Sequence, residues 1–69
     1  MTTIQIVING KTTETNFESY RSAVKFYKAR VAELAPNGQR QTSIYDIYHI
    51  PQNVIRLMRG RFVEEYVEF

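Results

Sequence analysis

The chain has no cysteine and a single histidine, His49. The first absence excludes a disulfide framework, a thiolate metal centre and thiol redox chemistry, and the second leaves any metal with carboxylates and one imidazole. No apolar run is long enough to cross a bilayer, and the start Met1-Thr2-Thr3 has neither a basic leader nor Gly at position 2. Secretion, membrane insertion and myristoylation therefore lack support, and the chain reads as cytoplasmic. A glycine-rich phosphate loop is missing too, and Ser19, Ser22 and Ser43 have only His49 as a triad partner. Asp46 and His49 stand three apart, a spacing open to acid–base or metal work, but two ligands do not make a site. No enzyme, no bound metal and no cofactor are expected.

What is there suffices for one small α+β domain. Of 69 residues, 43% are hydrophobic and 13% aromatic, enough for a single core but not for a second domain. The formal charge is +2, yet Glu64, Glu65 and Glu68 lie in a tail without Lys or Arg, so the first 61 residues carry those three charges more, +5. Segregation of this kind points to a polyanionic partner, although a solvated surface explains it as simply.

Ile4, Ile6 and Ile8 alternate with Gln5, Val7 and Asn9, the period of a strand with one buried face. Asn9-Gly10 then predicts a type I′ turn and an N-terminal β-hairpin, with Ile8 opposite Lys11, Ile6 opposite Thr13 and Ile4 opposite Thr15. The returning arm is polar and reads as an edge strand. Thr15 and Glu18 match a capping box, and Phe17, Tyr20, Val24, Tyr27, Val31 and Leu34 follow at alternating spacings of 3 and 4. A long amphipathic helix is expected, ending near Ala35-Pro36. Arg21, Lys25 and Lys28 line its outer side, as a solvated face or as phosphate contacts.

Residues 43 to 50 admit two readings. Ser43 and Asp46 could cap a short helix with Ile44, Ile47 and Tyr48 on one side; as a strand, Ile44, Tyr48 and Ile50 would oppose Tyr45, Ile47 and His49. Pro51 and Gly60 bracket a nine-residue helix, Pro51 to Arg59, with Pro51, Val54, Ile55 and Met58 on one side and Gln52, Arg56 and Arg59 on the other, Asn53 at their margin. The tail closes the core either as a helix burying Phe62, Val63, Tyr66 and Val67 or, with slight preference, as a final strand.

The stretch Gln41 to Phe62, QTSIYDIYHIPQNVIRLMRGRF, resembles the helix-turn-helix of small phage and bacterial DNA-binding proteins, with Ile44, Tyr48, Ile50, Ile55 and Met58 where that motif packs. The resemblance covers about a third of the chain and implies a helix-turn-helix-like C-terminal half in a DNA-binding regulator or accessory protein. Gln and Asn match adenine and Arg matches guanine, so Gln52, Asn53, Arg56 and Arg59 would meet base edges of double-stranded DNA. Arg61, Arg40, Lys25 and Lys28 would meet phosphates, and a homodimer is expected.

The alternative is a protein-binding module or inhibitor, of the kind phages and plasmids encode, that targets a host macromolecular complex through an exposed Tyr-rich surface. Five tyrosines and four phenylalanines favour it, since Tyr offers apolar area with a polar tip. An aromatic patch around Tyr45 and Tyr48 would be its mark.

Overall fold

In a computed structural model, which describes residues 1–42 and 51–69, the elements run β1 (Thr2–Ile8), β2 (Lys11–Phe17), α1 (Tyr20–Leu34), β3 (Val54–Arg59) and β4 (Phe62–Glu68). The strands form one antiparallel sheet in the order β2-β1-β3-β4.

The first hairpin arises directly from its turn. Asn9 and Gly10 take φ of 52° and 81°, the paired positive values of a type I′ turn, and Ile8, Ile6 and Ile4 stand opposite Lys11, Thr13 and Thr15. Pairing continues to Thr2 opposite Phe17, which corrects the expected capping box. Thr15 is held in the strand, so the cap falls four residues later. Ser19 is the N-cap, with extended backbone and a hydroxyl that accepts from the Ser22 amide at 3.3 Å. The helix ends at Leu34, where the Ala35 amide donates to the Val31 carbonyl at 2.8 Å.

The expected layout fails in the C-terminal half. Pro51 to Arg59 is not a helix: from Val54 onward it is a strand between β1 and β4, and no helix-turn-helix exists among the described residues. Gly60 has φ of 61° and, with Arg61, forms a two-residue turn that sets Arg59 opposite Phe62, the pattern of a type II′ hairpin rather than a helix stop. Whether 43 to 50 are helix or strand lies outside the described residues, as do Asp46, His49, Tyr45 and Tyr48.

Helix α1 covers one face of the sheet. Ile4 and Ile6 of β1, Ile55 and Leu57 of β3, and Val67 of β4 pack with Ala23 and Tyr27 of the helix and with Ala35. The Phe17 and Phe26 rings meet at 5.2 Å between centroids and join β2 to the helix. After the helix the chain passes so close to β4 that a Cβ at Gly38 would overlap Val67 Cγ1. Gln41 then pairs with Tyr66 through both backbone hydrogen bonds, at 2.9 Å each. On the face away from the helix, Val7 and Val54 stand opposite each other and are both buried.

Strand β4 carries a bulge near its start. Met58 pairs with Val63 and Leu57 with Glu65, so Glu64 is the extra residue between them.

Candidate nucleic-acid interface

The residues expected to form one reading stripe are dispersed by strand geometry. On a helix Arg56 and Arg59 would share a side, but three steps along a strand put them on opposite faces. Arg56 projects away from α1, where its guanidinium donates to Gln5 Oε1 at 2.5 Å, and Gln5 donates to Glu14 Oε1 at 3.0 Å. Arg59 lies on the helix side with its guanidinium carbon 5.1 Å from the Tyr20 ring centroid, and it donates to Glu64 Oε1 at 3.4 Å.

Gln52 and Asn53 precede β3 and hold the first turn in place. The Gln52 carbonyl accepts from the Gly10 amide at 3.1 Å, and Asn53 Oδ1 accepts from the Asn9 amide at 3.0 Å. Arg40 lies 3.6 Å from Glu65 Oε2. Arg61 sits exposed in the β3–β4 turn, without an ion pair among the described residues. The six side chains do not line up as one base-reading stripe, since Arg56 and Arg59 project from opposite faces and Gln52 and Asn53 precede the strand, and the homodimer expected of a helix-turn-helix reader loses its ground with the motif.

Lys25 and Lys28 have a different fate. With Arg21 they form an exposed track on the outer side of α1 and border, together with Ser22 and Val24, one open hollow. The spacings of 4 and 3 come from 3.6 residues per turn, and the inward positions Ala23 and Tyr27 fix which side is outward. None of the three has a carboxylate partner among the described residues.

Glu33, Glu64 and Glu65 are paired with other cations. The β4 bulge turns both Glu64 and Glu65 toward cations: Glu64 meets Arg59 and accepts from the Tyr20 hydroxyl at 2.8 Å, while Glu65 meets Arg40. Glu33 pairs with Arg30 at 2.9 Å. The acidic tail therefore neutralises neighbouring arginines and leaves the helix track bare. The Glu64 hydrogen bond, with smaller contributions from burial and the nearby carboxylates, holds the Tyr20 hydroxyl above its ordinary pKa against the pull of Arg59.

Sequence reasoning missed the grouping of Tyr20, Arg59, Phe62 and Glu64. The signal was present: taking Gly60-Arg61 as a two-residue hairpin loop pairs Arg59 with Phe62 at once.

Among the described residues no three His, Asp or Glu side chains gather as a metal site, and no helix is long and apolar enough to cross a membrane. The chain matches no family model, no curated protein and no solved structure.

Proposed function

We propose that this protein is a non-enzymatic nucleic-acid-binding module that grips the phosphate backbone through α1 and does not read sequence by a recognition helix. The observation that carries this is the track Arg21, Lys25 and Lys28, three exposed cations on one helix side without carboxylate partners among the described residues. Phosphate contact needs only positive charge at roughly regular intervals on a rigid support, which one helix supplies. The alternative Tyr-rich protein-binding surface rests on Tyr45 and Tyr48, which lie outside the described residues; of the three described tyrosines Tyr20 is exposed, Tyr27 buried and Tyr66 half-buried.

The test is affinity as a function of salt. Each cation that meets a phosphate contributes about 0.7 to 0.9 to the slope of log K against log salt. The triple variant Arg21→Ala/Lys25→Ala/Lys28→Ala should therefore flatten that slope by about two to three. Arg56→Ala is the control, because that side chain is held by Gln5 on the face away from the helix. Absence of binding at low salt, or a triple variant indistinguishable from the parent, would overturn the reading.

A further inference from the structure

We infer that the surface formed by Phe62 and Tyr20, at the N-terminal end of the cation track, is a base-stacking platform, and that the preferred ligand is single-stranded nucleic acid rather than duplex. This rests on the phosphate-binding reading above and deepens it.

Phe62 is 66% exposed and Tyr20 43%, the two most exposed aromatic rings on the helix side of the described sheet. Arg59 links their positions. Phe62 is the cross-strand partner of Arg59, and Arg59 lies over the Tyr20 ring. Glu64 accepts from both Tyr20 and Arg59, so its own charge is already matched. Tyr20 and Arg59 are thus held in place before any ligand arrives.

Its surroundings argue for bases on a phosphodiester strand. Arg61 precedes Phe62 and Arg21 follows Tyr20, and neither has an ion pair among the described residues. From Tyr20 the track continues through Lys25 to Lys28, about 12 Å along the helix at 1.5 Å per residue. Stacking rings at the end of a cationic track are the two elements of sequence-tolerant single-strand binding, since every base offers a π-face and every link a phosphate. A duplex hides its base faces and could use only the charges.

Four labelled probes separate the terms: a fifteen-residue oligothymidylate, the matching oligouridylate, a duplex of equal length, and heparin, which carries charge without bases. Phe62→Ala should weaken the single strands by roughly five- to a hundred-fold, the range of one lost base stack, and leave duplex and heparin within about two-fold. Phe62→Tyr should retain single-strand binding. Lys25→Ala/Lys28→Ala should weaken all four probes. The two oligonucleotides together decide between DNA and RNA as the source of the strand. Because Phe62 is mostly exposed, circular dichroism should show the Ala variant folded. Equal loss on all probes, no loss on any, or a parent that prefers duplex would overturn the stacking platform while leaving phosphate binding intact. A parent that binds none of the four would overturn both.

Discussion

The two hairpins of the sheet turn on the same number of residues but live in different surroundings. In the first, β2 is an edge strand: six of its seven residues are exposed and only Phe17 is half-buried. In the second, β3 lies between β1 and β4, and Val54, Ile55 and Leu57 are all buried. An edge strand needs apolar side chains on at most one face, whereas β3, flanked by strands on both edges, carries apolar residues on both faces, Ile55 and Leu57 toward the helix and Val54 and Met58 away from it. The consequence is energetic as well as visual. Stability should concentrate in the second hairpin and in the β1–β3 pairing, and β2 should contribute little through its side chains.

The largest expected effect tests that difference. Ile55→Ala removes a fully buried side chain packed against Ile6 and Val67, and should cost about 2–5 kcal/mol. Thr13→Ala, on the exposed edge, should stay within about 1 kcal/mol. Urea denaturation of both variants gives the comparison, and similar losses would mean that the edge is as well packed as the centre.

The same difference explains what could be read from the residues. Ile4, Ile6 and Ile8 alternate cleanly and Asn9-Gly10 has one dominant use, so the first hairpin and its register were legible. Val54-Ile55 and Leu57-Met58 give apolar pairs three apart, which fit a helix period as well as a strand with apolar residues on both faces. Pro51 and Gly60 sharpened the error, because each has a second use: Pro51 before a strand, and Gly60 as the first residue of a hairpin turn. The expected Thr15 cap failed for a related reason, since strand pairing with β1 outweighed a local side-chain hydrogen bond. The site showed the same division. Lys25 and Lys28 could be placed from helix periodicity alone, while Arg56 and Arg59 depended on a period that was wrong. The bulge at Glu64, which sends two successive glutamates toward cations, has no local signature in the sequence.

A second pair of variants sharpens the comparison at the turns. Gly10 and Gly60 both have positive φ, at 81° and 61°, and neither has any atom within 4 Å of an added Cβ. Space is therefore not the issue, and the cost of Gly10→Ala or Gly60→Ala is that of the backbone conformation, about 1–2 kcal/mol. Both variants should lose a similar amount by thermal or urea denaturation, despite the different burial of the strands they join. A much larger loss at Gly60 would show that the central hairpin transmits turn strain into the core, and a negligible loss at either would show that its turn relaxes to negative φ.

The smallest effect concerns the helix where it lies over the second hairpin. Tyr27 is 1% exposed, and its hydroxyl has no hydrogen-bond partner at acceptable geometry among the described residues. Burial, and then the nearby Glu65 carboxylate, push its pKa well above the ordinary value of 10.0. A raised pKa means that the folded protein holds this proton more tightly than the unfolded chain does. The stability linked to it is complete below the unfolded pKa, about 10, and is lost as pH rises beyond that point toward the folded value. Tyr27→Phe removes both the unpartnered hydroxyl and its titration. At neutral pH the variant should be unchanged or more stable by up to about 1 kcal/mol, because an unsatisfied buried donor is no longer carried. Between about pH 10 and pH 11 the parent should lose stability faster than the variant, since the two differ only at Tyr27. Urea midpoints taken at pH 7 and across that alkaline range decide the matter. A variant destabilised at pH 7 would mean that the hydroxyl does have a partner, and parallel alkaline decline would mean that Tyr27 does not control the loss.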